Sequence, residues 1–339
     1  MQQVTIRRAY AQYGLHDIQL LPPQKGYRNT SYPARLPNGA TVNLILYKQE
    51  NGMQERIMRI HSVSKSLADQ GLPVRVAHNP NILSLQANGV VRYAALYNYL
   101  PGHTISWEAY TKHHIKLVGM AMGRIHEALK DSRVNSPRVA DECLAICERM
   151  QKYFSQSDVA NAVSKKLSLR IDSNVCNLYK TILEHTTRLP KQQMLHMDLV
   201  RGNLLFTKTN QAEHYMLQVN NYAITGILDL EKTAYGHPVF DIARTLAFLL
   251  VDSKYKSSEK VRKYFLYSGY VKRGGHKISQ ITLTLDNKKY DILEMLTMFF
   301  LLYDFYKFLR HNPYESLSEN EHFMRTRAML IDQKVLVDL

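Results

Sequence analysis

Two short stretches constrain this chain more than any other part of it. The first, Met194 to Phe206, reads M-L-H-M-D-L-V-R-G-N-L-L-F, and the second, Ile227 to Asp241, reads I-L-D-L-E-K-T-A-Y-G-H-P-V-F-D. In the first, Asp198 stands two residues after His196, and Asn203 five residues after Asp198. In the second, Asp229 closes an apolar run. A short loop carrying a carboxylate and a carboxamide, followed by a second carboxylate at the end of a strand, sets a proton acceptor at a fixed distance from two hard oxygen donors.

Transfer of a phosphoryl group to a hydroxyl needs that combination: a carboxylate beside the hydroxyl, and Mg²⁺ ligands beside the phosphates. At these residues the chain resembles the aminoglycoside phosphotransferase and choline kinase family, which shares the protein-kinase-like fold. The family pattern is roughly H-G-D-x-x-x-x-N followed by an I-D-[WF]-[ED] strand. Met197 stands where the family usually has Gly, and Arg201 where it often has Pro. Neither position supplies a base or a metal ligand. The resemblance implies an α+β, bilobal protein-kinase-like fold, with a small antiparallel-sheet N-lobe (residues 1–99) and a mainly helical C-lobe (residues 100–339). It implies ATP and Mg²⁺ as cofactors, Asp198 as the group that accepts or orients the hydroxyl proton, and Asn203 and Asp229 as metal ligands. Glu231 would assist a second Mg²⁺ through water. His196 would pack inward and brace the loop, and Asp241 would brace it through hydrogen bonds.

The N-terminal part reads as a lead-in and a first strand ended by Pro22-Pro23, then a polar hairpin from Gln24 to Tyr32. In the family a tight hairpin here covers the nucleotide phosphates, and backbone N–H groups near Asn29 to Ser31 could reach their oxygens. The alternative is a plain hairpin turn, since the stretch holds a single Gly. Ala40 to Lys48 reads as a strand after an Asn38-Gly39 turn. Lys48 falls where the fold places a lysine against the α- and β-phosphates. That lysine needs a carboxylate from the following helix, and Glu55 is the only acidic residue between Asn51 and Ala68; a surface Glu is the competing reading. The helix runs to about Gln70, with Ile57, Ile60 and Leu67 buried and Gly71 capping. Asn81 to Gln86 and Val90 to Tyr99 read as strands joined at Asn88-Gly89. The stretch Tyr97-Asn98-Tyr99-Leu100-Pro101-Gly102 resembles the family's hinge, whose backbone meets the adenine edge, so Tyr97 and Tyr99 are assigned to nucleotide binding.

Beyond Ser106 the pattern is helical. Leu117, Ala121, Ile125 and Leu129 form one stripe, with His126 a structural histidine on the same helix. Two helices are expected between Pro137 and about His185, then a hairpin from Thr207 to Tyr222 and a strand from Ile224 to Asp229. Pro238 suits the first turn of a helix holding Asp241 to Leu250. Further helices are expected at 257–272, 287–310 and 316–335. The short interval from Asp229 to Asp241 leaves no room for a peptide-docking activation segment, which argues against a protein kinase.

Composition limits the remaining possibilities. Lys and Arg number 44 against 29 Asp and Glu, a net charge of +15 that attracts anions. Positive charge is dense from Lys254 to Lys277. A solvated face explains that density more simply than nucleic-acid binding, for which no aromatic-basic motif is present. Three cysteines, Cys143, Cys147 and Cys176, with no paired histidines nearby, read as free thiols of a cytoplasmic protein. No apolar stretch follows M-Q-Q-V-T-I-R-R-A-Y, so no secretory leader is expected. Ile292 to Leu309 contains Glu294, Asp304 and Lys307 and reads as a buried helix, so no membrane insertion is expected. The function expected is transfer of the ATP γ-phosphate to an alcohol: an amino alcohol, homoserine, a sugar or an aminoglycoside-like acceptor. The absence of an acidic cluster near the C-terminus disfavours a polycationic antibiotic. The competing readings are an atypical protein Ser/Thr kinase and a nucleotide-binding regulatory module. The sequence sets neither the acceptor nor the oligomeric state.

Overall fold

A computed structural model describes residues 3–338 except 27, 88, 107, 173, 211–213 and 274–280. The N-terminal part comprises α1 (Gln3–Gln12), β1 (Gln19–Leu20), β2 (Gln24–Lys25), β3 (Thr30–Arg35), β4 (Thr41–Leu46), α2 (Met53–Asp69), β5 (Leu83–Ala87) and β6 (Val90–Asn98). Its strands form one antiparallel sheet in the order β1-β3-β4-β6-β5, with β2 also paired to β3. Strand β4 is buried on both faces. Val42, Leu44 and Leu46 pack with Ile6, Ala9 and Tyr10 of α1, whereas Ile45 and Tyr47 pack on the α2 side. Helix α1 was not expected from the sequence: its decapeptide has no acidic residue in the first turn and no basic residue in the last.

The remainder follows as α3 (Lys112–Leu129), α4 (Val139–Phe154), α5 (Ser157–Leu167), β7 (Leu169–Ile171), α6 (Val175–Thr186), β8 (Gln193–Leu195), β9 (Leu204–Lys208), β10 (Gln218–Val219), β11 (Tyr222–Ile227), β12 (Ala234–Gly236) and α7 (Val239–Asp252). Then come α8 (Ser258–Arg262), a π-helix (Lys263–Tyr270), β13 (Thr282–Leu285), β14 (Lys288–Asp291), α9 (Ile292–His311), α10 (Glu321–Asp332) and β15 (Leu336–Asp338). Three helices, not two, fill the interval before β8, because Ser157 opens a separate helix after the polar break at Ser155. The last long helix starts at Ile292 rather than 287, since β13 and β14 form a hairpin ahead of it and Asp291 caps its first turn. Turn residue Asn88 and basic residue Lys277 lie outside the described residues.

One apolar cluster runs from the underside of the sheet through α2 and α3 to the β9–β11 hairpin, α7 and the π-helix. A second holds α4, α6, α7 and α9 together. The π-helix packs closely on α3: a Cβ on Gly119 would stand 2.2 Å from Phe265 O and one on Gly269 2.9 Å from Gly119 Cα. Cys143, Cys147 and Cys176 are buried free thiols. No helix among the described residues is long and apolar enough to cross a membrane.

Candidate active site

The loop from Leu195 to Leu204 is held in a strained form by one buried carboxylate. Met197 has φ 61°, in the left-handed region, although its side chain is buried. Asp241, in the first turn of α7, accepts hydrogen bonds from the backbone N–H groups of His196 (2.8 Å) and Met197 (2.9 Å). Its Oδ2 lies 3.2 Å from Nε2 of His126 on α3, and Nδ1 of His126 lies 2.9 Å from the hydroxyl of Tyr270 in the π-helix. Burial opposes ionisation of Asp241. The His126 hydrogen bond, the two histidines and the backbone N–H groups outweigh it and hold the carboxyl below the usual range. His196 is fully buried, and its Nδ1 accepts from Asp198 N at 3.2 Å. The inward-packed brace expected of His196, the bracing role of Asp241 and the structural character of His126 are all what this arrangement contains.

Strand pairing brings the two motifs together. Leu204 opens β9 and pairs with Ile227, the last residue of β11. Asn203 and Asp229 lie just beyond that pair, and Leu228 N donates to Asn203 O at 2.8 Å. The Asn203 carboxamide nitrogen donates to Asp198 O (2.9 Å) and Oδ2 (3.0 Å). Its oxygen receives no hydrogen bond from any described residue and is available to a cation. Asp229 has φ 56°, a second strained residue at the site. A carboxamide oxygen and one carboxylate suit Mg²⁺, which keeps water and phosphate oxygens in its remaining positions. No cluster of three or more His, Cys, Asp or Glu side chains suited to a metal occurs among the described residues.

Asp198 is buried, and its charge is matched by cations that the motif did not announce. Lys232 Nζ is 2.8 Å from Oδ1, and Arg244 Nη2 is 3.5 Å from the same atom. Burial pushes the carboxyl up, but Lys232, then Arg244, pull it below the usual carboxylate range. Arg244 is itself sandwiched, its guanidinium 5.3 Å from the Phe248 ring centre and 5.4 Å from that of Phe300. It stands three residues after Asp241 on α7, so helical spacing could have singled it out. Arg201 places Nε 3.3 Å from Asp252 Oδ2, a pairing that proline could not make.

Asp198, Asn203 and Asp229 face one cavity of about 570 Å³, roofed by the β2–β3 hairpin and walled by Tyr47, Arg75 and Tyr97. Asn29 and Ser31 line the roof. The Asn29 carboxamide donates to Glu231, and its oxygen accepts from Lys48 N at 3.0 Å, so the hairpin is tied across to the segment that follows β11. Ser31 Oγ donates to Asn43 Oδ1 at 2.5 Å. Glu231 is raised above its usual range by burial and by Asp229. Tyr97 is buried, with its hydroxyl 2.6 Å from that of Tyr47 and 3.0 Å from His61 Nε2. Tyr99 is exposed and does not line the cavity.

Lys48 and Glu55 are not brought together. Lys48 is 59% exposed, and its ammonium lies 3.8 Å from Glu50. Glu55 is exposed in the first turn of α2. The reason is strand parity: side chains alternate, Ile45 and Tyr47 take the cavity face, and Lys48 falls on the other. Two cations of the basic segment from Lys254 are spent on the protein's own acids: Lys254 contacts Glu108 and Glu321, and Arg262 lies 2.7 Å from Glu294.

Comparison with known proteins agrees with this geometry. The sequence pattern of the phosphotransferase enzyme family (APH) matches residues 19–255. Hydroxylysine kinase of Xenopus laevis is 22% identical over 227 residues, which are 64% of this chain and 60% of that protein. Among solved structures, a microcompartment-associated aminopropanol kinase superposes with a TM-score of 0.65 at 14% identity, covering 98% of both chains. The amicoumacin kinase hAmiN, solved with AMP-PNP, Ca²⁺ and Ami, gives 0.63 at 16% identity, covering 98% of this chain and 93% of that one. The fold is therefore the kinase-like one, with an antiparallel-sheet N-terminal part and a helical C-terminal part. With the match running from β1 to beyond α7 and taking in every residue that faces the cavity from the two motifs, the chain belongs to the phosphotransferase enzyme family.

Proposed function

We propose that this protein is a small-molecule kinase that transfers the γ-phosphoryl group of ATP to an alcohol. The observation that carries the reading is the convergence of Asp198, Asn203 and Asp229 on one cavity beneath the β2–β3 hairpin. In the reaction, the acceptor oxygen bonds to the γ-phosphorus, the bond to the β–γ bridging oxygen breaks, and ADP leaves. Asp198 takes up or directs the hydroxyl proton. Its depressed pKa makes it a weak base that is ionised at neutral pH, which suits a loose transition state in which orientation outweighs basicity. Asn203 and Asp229 would hold Mg²⁺, which would supply positive charge to offset that of the phosphates. Asn29 and Ser31 are the roof residues from which backbone N–H groups would reach phosphate oxygens.

The acceptor is proposed to be a small hydroxylated amine or amino acid, in keeping with the hydroxylysine and aminopropanol kinases among its relatives. Helix α7 begins only ten residues after Asp229, which leaves no room there for an activation segment of the kind on which a peptide substrate docks. Buried free thiols suit the reducing, ATP-supplied cytoplasm.

The test is ADP release from Mg²⁺-ATP across hydroxy amino acids, amino alcohols, sugars and aminoglycosides, with Asp198→Asn as the blank. Acceptor-dependent ADP that falls by about 10²–10⁴-fold in the blank is expected. Nucleotide binding with no acceptor-dependent release from any alcohol, but with phosphate incorporated into protein, would overturn the small-molecule reading.

A further inference from the structure

Tyr47 lines the cavity, whereas Lys48, the strand cation expected to face the phosphates, does not line it and is exposed beside Glu50. A cavity for a nucleotide triphosphate still needs positive charge. Four cationic side chains line it: Lys25, Arg28, Arg75 and Lys232. Lys25 is exposed at the hairpin edge. Arg28 is paired with Glu50, and Lys232 with Asp198. Arg75, like Lys25, makes no side-chain hydrogen bond or ion pair with any described residue, and unlike Lys25 it is half-buried.

The backbone carrying Arg75 is fixed from both sides. Ile227 N donates to Pro73 O at 2.7 Å, and Val74 bridges Ile227 in parallel, which anchors the segment to the strand that leads to Asp229. On the other side Val76 N donates to Asn98 Oδ1 at 2.6 Å, and Asn98 N to Val76 O at 3.0 Å, which anchors it to the end of β6. Arg75 is therefore held between the hinge and β11. Its neighbours Tyr47 and Tyr97 are neutral, burial keeping both phenols protonated well above their usual range. Asp229 acts on Arg75 electrostatically without pairing with it. A partly desolvated guanidinium without a counter-ion is costly unless a ligand supplies one.

We propose that Arg75 takes the place of the strand lysine and binds the nucleotide phosphates through its guanidinium fork. Its two parallel N–H donors suit phosphate oxygens, which an ammonium meets only as a point charge. The inference rests on the proposed nucleotide site, and the experiment separates the two.

Binding of Mg²⁺-ADP and of adenosine is measured by calorimetry for the wild type, Arg75→Gln and Lys48→Gln, with the thermal midpoint of each as a check on folding. Arg75→Gln is expected to weaken Mg²⁺-ADP by roughly 10- to 100-fold, the scale of a hydrogen-bonded charge contact. Adenosine is expected to bind it unchanged, and Lys48→Gln to bind both ligands as the wild type does. Equal weakening of adenosine and ADP, no weakening, or a loss confined to Lys48→Gln would overturn the assignment. A wild type that binds neither ligand would refute the nucleotide site itself, and this inference with it. A second readout needs no variant: phenylglyoxal labelling of Arg75 in the wild type, mapped by peptide mass. Protection by Mg²⁺-ADP but not by adenosine is expected; equal labelling in both would count against the proposal.

Discussion

Asp198 has both oxygens engaged, Oδ1 by Lys232 and Oδ2 by Asn203. In the proposed reaction an incoming hydroxyl would use a remaining lone pair or displace Lys232, whose side chain is 43% exposed. The pH behaviour follows. Since Lys232 and Arg244 depress Asp198, kcat should hold constant from neutral pH down to below the ordinary carboxylate range, and then fall as the carboxylate is protonated. Lys232→Ala removes the larger attraction and leaves burial opposed mainly by Arg244, so the acid limb should move to higher pH. The pH profile of kcat for the two proteins checks this. An unmoved limb would mean that the limb reports another group.

At the scale of elements, the reactive loop depends on α7 more than on its own sequence. Asp241 offers two oxygens to two loop N–H groups and to His126, and so links α3, α7 and the strained Met197. An Asn in its place can accept at only one atom and leaves a buried N–H or the imidazole without its partner. Asp241→Asn should therefore destabilise the protein by about 3–5 kcal/mol, the scale of breaking a buried charged network. It should also cost activity without touching substrate, and urea unfolding together with kcat measures both. The hinge is clasped at the same level. Gly102 has φ +112°, and a Cβ there would stand 2.4 Å from Thr225 Oγ1, while the Thr225 hydroxyl donates to Pro101 O at 2.7 Å. Only glycine permits the hinge to lie this close to the β9–β11 hairpin.

For the whole molecule, a shared apolar cluster makes the sheet and the helical part lean on each other across the cavity. A ligand that spans the cavity touches both. Mg²⁺-ADP at about 100 times its Kd should stabilise the folded protein by about 2.7 kcal/mol, and its thermal midpoint should rise accordingly. Chelation of Mg²⁺ by EDTA should cancel most of that rise, because Asn203 and Asp229 would then face the phosphates without the cation that joins them. A rise that survives EDTA would show that the nucleotide is held without the metal pair.

The sequence by itself determined the part of the site that is local. Asp198 and Asn203 share one loop, and Asp229 lies two residues past the strand that pairs with the strand following that loop, so a few residues of spacing carry the whole arrangement. The three-residue step from Asp241 to Arg244 was also present in the sequence as a helical spacing. Tertiary structure decided which face of β4 meets the cavity. The run L-I-L-Y from Leu44 to Tyr47 is apolar at successive positions because α1 covers one face and α2 the other. A strand buried on both sides gives no alternation from which to read its parity. Lys48 and Tyr47 could therefore be told apart only once α1 was in place, and α1 had no acidic residue in its first turn or basic residue in its last to announce it. Arg75 was hidden for a related reason. It comes within reach of Asp229 through the bridge between Val74 and Ile227, a contact between residues far apart in the chain that no local pattern records.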